Sequence, residues 1–223
     1  MTFSLVARCA RTGQFGMVIS SSSPAVAARC SHVRAGVGAA ASQNVTDPAL
    51  GPLLLDRLEA GLSAPEALAE ITAGRPYVDY RQLMVVDAGG AVAIHSGGQV
   101  LGLWAEATGR DCAAGGNLLA SEDIPAAMVA AFEATQGHLG DRLMAALEAG
   151  LGAGGEAGPV HSAGLKVADR LSWPLVDLSI DWAEDPIAML RAGWDVYRPQ
   201  MMAYVQRAED PTQAPSYGVP GDE

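Results

Sequence analysis

Charged and aromatic residues are scarce in this chain of 223 residues, and lysine is almost absent. Charged residues make up 17% of the sequence and aromatic residues 5%, whereas an average globular protein has roughly a quarter of its residues charged. Lys166 is the only lysine, so a mechanism that needs a lysine base has one candidate. Asp and Glu number 25 against 14 for Lys and Arg, which gives a net charge of −11. Because nucleic-acid affinity depends on cations that neutralise phosphates, we expect no nucleic-acid partner.

The sequence also lacks a disulfide pattern and long apolar runs, and we expect no secretory leader. The three cysteines, Cys9, Cys30 and Cys112, are odd in number and widely spaced, which fits neither a disulfide framework nor a zinc pattern. We therefore expect a reduced, cytoplasmic chain. Arg8 and Arg11 interrupt the region that a secretory signal would keep apolar. No apolar run reaches the ~18 residues of a membrane span, so we expect no membrane association.

Most catalytic motifs are absent as well. The chain has no G-x-S-x-G motif, and its four histidines lack metal-binding spacing, so we predict no metal site. Residues 36–41 do match the dinucleotide fingerprint G-x-G-x-x-A. However, the polar stretch 43–48 interrupts the helix that this fingerprint requires, and hairpins contradict the parallel sheet. A strand of small residues is the favoured interpretation, and we expect no cofactor.

The sequence pattern places strands in hairpins and helices in pairs. Hairpins are predicted from 2–8 with 15–20, and from 82–86 with 91–94. Ser63 and Glu66 form a capping box at the start of a helix. The other predicted elements are strands at 33–42, 112–119, 162–168 and 175–180, and helices at 47–61, 125–135, 140–150 and from 185, the last interrupted at Pro199. This order favours a single α+β domain over 1–207, followed by an irregular tail at 208–223.

The residue at position 2 is the strongest candidate for a catalytic role. If Met1 is removed, which a small second residue permits, Thr2 has both a hydroxyl and a free α-amine. An α-amine has a pKa of about 7.7–8.0, so it acts as a base near neutral pH. A threonine activated by its own amine is an established nucleophile that needs neither lysine nor histidine. Thr2 is therefore the candidate nucleophile.

Short motifs along the chain resemble one bacterial family. They lie at Thr2–Arg8 with the Thr12-Gly13 turn, and at 24–26, 34–39, 42–43, 51–52, 61–64, 86–87, 95–97, 116–120, 127–128, 132–133, 147–150, 177–181 and 185–187. Together they are similar to the family catalogued as domain of unknown function 1028, which is grouped with the N-terminal-nucleophile (Ntn) hydrolases. The resemblance extends to about Leu190.

The resemblance implies a four-layer αββα sandwich and a set of site residues. By analogy with Ntn hydrolases, Thr2 would be the nucleophile, with Ser20 or Ser21 beside it. Arg34 would supply a positive charge, and Asn117 would stabilise the oxyanion or orient the substrate. We also assign substrate-binding roles to Gln43, Asn44 and His95. The chain departs from the family where Gly115 replaces the usual Gln and Val100 replaces a common Cys.

These observations lead to an expected function and two alternatives. We expect an amidohydrolase that acts on a small soluble amide through Thr2 after Met1 is removed. The first alternative is a protein that keeps the Ntn scaffold but only binds a small molecule or assembles with partners. The second is a dehydrogenase that uses the glycine fingerprint at 36–41, which would require cofactor binding. We also expect a homo-oligomer, specifically a dimer, in which the proline-containing tail packs on the partner copy.

Overall fold

A computed structural model of the chain describes residues 2–221 and shows a mixed α/β protein. The strands are β1 (Thr2–Arg8), β2 (Phe15–Ser21), β3 (Ser31–Arg34), β4 (Gly38–Asn44), β5 (Arg81–Asp87), β6 (Val92–Ser96), β7 (Ala105–Gly109), β8 (Cys112–Asn117), β9 (Ser162–Ala168) and β10 (Val176–Ile180). The α-helices are α1 (Val26–Cys30), α2 (Leu50–Glu59), α3 (Ala64–Thr72), α4 (Ile124–Ala134), α5 (Leu139–Gly152), α6 (Pro186–Tyr197) and α7 (Met201–Glu209), and short 3₁₀ helices cover Val78–Tyr80 and Pro211–Gln213.

The larger sheet has β1 near its centre. Its strand order is β10-β9-β2-β1-β8-β7, and neighbouring strands are antiparallel. Phe3 lies opposite Ser20 on β2, and Thr2 lies opposite Asn117 on β8. The start of the chain is therefore paired on both sides.

The smaller sheet has the antiparallel order β3-β4-β5-β6. The hairpin predicted around 82–94 is confirmed as β5 and β6. The single strand predicted over 33–42 is wrong, because the chain turns at residues 35–37 and forms the β3–β4 hairpin instead. Gly36 has a φ of 71°, a conformation that glycine adopts without strain. Small residues are compatible with a continuous strand and with a hairpin, so the sequence of 33–42 does not distinguish the two.

Three hydrophobic clusters hold the sheets and helices together. One joins the larger sheet to α4, α5 and α6, with Phe3, Leu5 and Trp194 among its members. A second lies between the two sheets and contains side chains from both, such as Met17 and Met84. The third joins the smaller sheet to α2 and α3. Helices thus pack on the outer face of each sheet.

Alternation along the strands decides which residues lie between the sheets. On β1, Phe3 and Leu5 belong to the helix-facing cluster, whereas Val6 belongs to the inter-sheet cluster. Successive strand residues point to opposite faces, so Thr2 shares the inter-sheet face with Val6. Small side chains such as Ala39 and Ala113 also belong to that cluster, which lets the two sheets approach closely.

Helix boundaries agree in part with the sequence signals. The Ser63–Glu66 capping box is present at α3, and the break at Pro199 is confirmed between α6 and α7. The helix predicted from residue 47 begins at Leu50, because the Asp47 side chain accepts a hydrogen bond from the Ala49 amide (3.1 Å) in the preceding turn. None of the helices described between residues 2 and 221 has the length and apolarity needed to cross a lipid bilayer.

Candidate functional site

Thr2 is buried at the end of the inter-sheet space. Only 5% of the residue is exposed. Its Oγ1 donates a hydrogen bond to Ser21 Oγ on β2, at 3.4 Å. The two hydroxyls therefore lie side by side on neighbouring strands, as the pairing of β1 with β2 dictates.

Ser21, and not Ser20, is the serine beside Thr2. Ser20 Oγ donates to the Ser162 carbonyl (2.9 Å) across the sheet. Ser21 Oγ instead accepts a hydrogen bond from the Ser23 amide at 3.0 Å, in addition to the one from Thr2. Strand alternation separates the two serines, because Met17 and Ile19 face the other sheet and Ser21 continues their row.

Asn117 faces Thr2 from the other neighbouring strand. It is fully buried and lies directly opposite Thr2 in the register of β1 and β8. Its Nδ2 donates to Gln82 Oε1 at 3.1 Å, while its Oδ1 is buried and finds no hydrogen-bond partner among residues 2–221. A buried acceptor without a donor costs about 1–3 kcal/mol, so Asn117 Oδ1 is ready to accept a hydrogen bond.

A network of buried amides connects Asn117 to both sheets. Gln43 Nε2 donates to Gln82 Oε1 at 2.8 Å and to the Gly115 carbonyl at 3.2 Å. Ser4 Oγ donates to Gln43 Oε1 at 2.7 Å. Gln82 Nε2 donates to Ser96 Oγ at 3.0 Å and to the Gly116 carbonyl at 3.2 Å. Because Gln82 Oε1 accepts from two amide groups, the network fixes how the Gln43 and Asn117 side chains are oriented.

The structure does not bring Arg34 or His95 to this group. The Arg34 guanidinium binds Asp56 at 2.8 Å and Glu59 at 2.7 Å on the outward helix α2. His95 Nε2 contacts the Val78 carbonyl at 3.2 Å. Strand alternation explains the direction of both side chains. Their neighbours Val33 and Ile94 pack against the inter-sheet cluster, so Arg34 and His95 point to the opposite face of the smaller sheet.

Asn44 lies at the edge of the group and holds two loops. Its Nδ2 donates to the Tyr80 carbonyl at 2.7 Å, and its Oδ1 accepts from the Leu101 amide at 3.2 Å. Asn44 has a φ of 70°, a left-handed conformation that asparagine tolerates better than most residues. The side chain thus joins the end of β4 to the segment before β5 and to the loop before β7.

Glu156 is a buried carboxyl group that no motif in the sequence indicates. Both of its oxygens accept hydrogen bonds from the Ser22 amide, at 3.0 and 3.2 Å, and the residue forms an isolated β-bridge with Leu119. It is thereby next to the ends of β2 and β8, which carry Ser21 and Asn117. Burial raises the pKa of Glu156 to about 7, although hydrogen bonds from Ser22 oppose the shift.

Gly115 lies beside the amide network. A Cβ placed on Gly115 would point at Met84 Sδ (3.1 Å) and Gln82 Nε2 (3.7 Å), so this position faces the amide network. Among residues 2–221, no three His, Cys, Asp or Glu side chains are grouped in a way that could hold a metal ion.

Comparison with known proteins gives a family and structural relatives. The family model described as "Family of unknown function (DUF1028)" matches residues 2–190. The chain is similar to the crystal structure of protein SPO2555 from Silicibacter pomeroyi, a protein of the same family, with a TM-score of 0.82, 28% identity and 88% of each chain covered. Anbu (ancestral beta-subunit) from Yersinia bercovieri gives a TM-score of 0.40 at 11% identity, covering 91% of this chain and 97% of Anbu. No curated protein matches the sequence.

Proposed function

The chain belongs to this family of unknown function, and on that premise we propose that it is an N-terminal-nucleophile hydrolase that cleaves an amide bond in a small soluble compound. The proposed nucleophile is Thr2, which becomes the first residue when Met1 is removed. Met1 itself lies outside the described residues. The observation that carries the proposal is the position of Thr2 at the start of a central strand, between the buried polar side chains of Ser21 and Asn117.

The layered packing supports this proposal at the level of the fold. Helices α4, α5 and α6 cover the larger sheet, α2 and α3 cover the smaller sheet, and the sheets share a core. We interpret this order of layers as the αββα sandwich of Ntn hydrolases. In such a sandwich, a side chain on the inter-sheet face at the end of a central strand meets substrate at the edge of both sheets.

The proposed reaction uses one residue as both nucleophile and base. Thr2 Oγ1 attacks the amide carbon as the Thr2 α-amine takes the hydroxyl proton. The amine then delivers that proton to the leaving nitrogen while the C–N bond breaks, which leaves an ester between Thr2 and the acyl group. Water hydrolyses the ester, releases the acid and restores the hydroxyl. An α-amine pKa of about 7.7–8.0 suits both proton transfers near neutral pH.

The buried neighbours would position these groups. In the proposal, Asn117 Oδ1 accepts a hydrogen bond from the freed Thr2 amine, since this oxygen lacks a partner among residues 2–221 and its residue lies opposite Thr2. One N–H of Asn117 Nδ2 is bound to Gln82, and the second is left for the oxyanion or the substrate. Ser21 orients the Thr2 hydroxyl by accepting its hydrogen bond, and Gln43 orients Gln82 by donating to its side-chain oxygen.

The test combines the identity of the first residue with variants of Thr2. Mass spectrometry of the protein from its native source is expected to show a chain that begins at Thr2. In a screen against small amides, Thr2→Ala should lower turnover of any active substrate on the order of 10³-fold or more, because the nucleophile is lost. Thr2→Ser should keep part of the activity.

The control is Thr12→Ala, which removes a threonine hydroxyl from the turn between β1 and β2, where it accepts from the Gln14 amide. This variant should match the unmodified protein in turnover. Full turnover by Thr2→Ala, or an intact Met1 in active protein, would exclude the mechanism.

The burial of Thr2 favours a second candidate, a binding or assembly protein that has kept the scaffold without the chemistry. At 5% exposure, the Thr2 side chain offers little surface to a substrate. A compound that raises the melting temperature but is not turned over, even by chains that begin at Thr2, would support this candidate. Turnover that depends on Thr2 would exclude it.

A further inference from the structure

A cleft lined by arginines lies at the far end of β1 from Thr2. Its volume is about 460 Å³, and its lining includes Arg8, Cys9, Arg11, Arg110, Glu133 and Arg142. We call it the arginine cleft. Arg8 ends the seven-residue strand that Thr2 begins. At about 3.3 Å per residue, roughly 20 Å separate the two ends, so the cleft is independent of the proposed Thr2 site.

The charge of the arginine cleft is opposite to that of the whole chain. The lining has four guanidinium groups and the carboxylates of Asp111 and Glu133, whereas the protein as a whole carries a net charge of −11. The cleft thus brings an excess of two positive charges to one concave surface. A cleft lined by charge of one sign concentrates its field and attracts ligands of the opposite sign.

Three of the four guanidinium groups form no ion pair in the part of the chain that the structure describes. Arg8 Nη1 binds Asp111 Oδ1 at 2.8 Å. Arg11, Arg110 and Arg142 form no ion pair with a carboxylate within the part of the chain that the structure describes. Glu133 uses its Oε1 to accept from the main-chain amide of Arg110 at 2.7 Å, so this contact leaves the Arg110 guanidinium unused.

Two of the guanidinium groups are held in place through atoms that leave other N–H groups available. Arg142 lies over the Phe132 ring, 3.8 Å from its centroid, and its Nε donates to the Phe132 carbonyl at 3.2 Å. Arg11 Nη2 donates to the Gly137 carbonyl at 3.4 Å. Each guanidinium has five N–H donors, so both groups keep donors for a ligand. Side chains that are fixed before binding lose less entropy when the ligand arrives.

The Cys9 thiol in the wall of the cleft is held mainly by hydrogen bonds. Burial acts to raise the pKa of Cys9, yet hydrogen bonds from Thr12 and the charge of Arg142 outweigh burial and leave this pKa lowered. The charge of Arg142 is the smallest of the causes that lower this pKa, so the case for the cleft rests on the guanidinium groups themselves.

From this cleft we infer a binding site for a small phosphate monoester in its dianionic form. Guanidinium groups bind phosphate oxygens in pairs of parallel hydrogen bonds, and two negative charges match the local excess of positive charge. The volume of about 460 Å³ falls in the range of ligand pockets and exceeds what a bare phosphate fills, which leaves room for the organic part of an ester. Arg110 and Arg142 are the residues assigned to the phosphate.

Titration calorimetry with the full chain tests the assignment. Glycerol 3-phosphate is the ester probe, inorganic phosphate and succinate are the comparison anions, and each is titrated at low and physiological salt. The ester should bind more tightly than either comparison anion. Arg110→Gln and Arg142→Gln should each weaken ester binding by about 10-fold or more, because each removes a charge-assisted hydrogen bond.

Two variants control for charge and for folding. Arg75→Gln removes a guanidinium that is bound to the Ile71 carbonyl outside the cleft (2.8 Å), and ester binding should be unchanged. Arg110 is exposed in the β7–β8 turn, so its variant should fold even if loss of the Phe132 contact destabilises Arg142→Gln. The Thr2→Ala protein should bind the ester normally, which separates this site from the proposed hydrolase.

Several results would overturn the assignment. No ester binding at millimolar concentration would exclude the site. Equal weakening by Arg75→Gln and Arg110→Gln would show only general attraction to surface charge. If succinate binds as tightly as the ester, the cleft does not select phosphate over carboxylate. If inorganic phosphate binds as tightly as the ester, the cleft does not recognise the organic part of an ester.

Discussion

Folding places the carboxyl group of Glu156 almost out of water. With 4% of the residue exposed, the ionised form loses solvation, and the bonds from Ser22 recover only part of it. This loss accounts for the rise in the pKa of Glu156 to about 7 from an ordinary value of 4.5. Because the residue adjoins Ser22 and Leu119, its titration takes place next to the ends of β2 and β8, which carry Ser21 and Asn117.

Glu156→Gln should change how stability depends on pH. Below pH 4.5 the carboxyl is protonated in both states and costs nothing. Between pH 4.5 and about 7 the unfolded chain ionises first, so stability falls as pH rises, by up to about 3 kcal/mol above pH 7. Urea unfolding from pH 4.5 to 8 should show this fall in the unmodified protein and lack it in the variant.

The matched control is Glu122→Gln, which removes the same charge from an exposed position. It should follow the pH dependence of the unmodified protein. The same pH dependence in Glu156→Gln and in the unmodified protein would contradict the prediction.

Residues of the candidate site could be predicted only in part. The N-terminal position singled out Thr2, and family resemblance brought in Ser21, Gln43 and Asn117, which the structure places together. Gln82 could not be predicted, because its role depends on β4 and β8, which are distant in sequence and reach it only in the folded protein. Arg34 looked equally suitable, but a single step along β3 turns it towards α2.

Among the secondary-structure elements, replacing glycine by alanine should have opposite effects on stability at two positions. Gly36 turns the β3–β4 hairpin with a φ of 71°, so Gly36→Ala should lower the free energy of unfolding by about 1 kcal/mol. Gly193 lies inside α6 with open space around a new Cβ. Gly193→Ala should raise the free energy of unfolding by about 1 kcal/mol, because alanine favours the helix.

Urea unfolding of both variants measures the two signs directly. Neither new methyl group meets an atom within 4 Å, so packing does not confound the comparison. Stabilisation by Gly36→Ala, or destabilisation by Gly193→Ala, would contradict the backbone argument.

Elements with local signals were predictable, and elements held by distant contacts were not. The capping box at Ser63 and the turn after Asp87 lie within a few residues of the structures they begin or reverse. In contrast, α1 has only five residues and starts after Ala25 in a left-handed conformation, and β7 is ordered by its pairing with β8. Neither element carries a sequence pattern strong enough to predict it.

At the scale of the whole molecule, antiparallel sheets accompanied by helices could be foreseen from the element order. The order of strands within each sheet could not, because it depends on pairings such as β2 with β9 that join distant parts of the chain. The amide network and the arginine cleft are both products of that order.

We propose that the protein is a homodimer, and light scattering tests this. The outer faces of α6 and α7 expose Met189, Val196 and Met202, and the segment after α7 exposes Tyr217, so apolar surface is available near the tail. The full chain should scatter as a dimer, whereas a chain ended at residue 207 should scatter as a monomer. A monomeric full chain would exclude the proposal.

The central place of β1 has a consequence for how the protein is made. β1 leaves the ribosome before the other described strands, yet Thr2 pairs with Asn117, more than one hundred residues later. Until β8 emerges, the β1–β2 hairpin has an open edge in the nascent chain. Non-local pairings of this kind slow folding and expose edges that can aggregate. We therefore expect the larger sheet to close only after most of the chain has been synthesised.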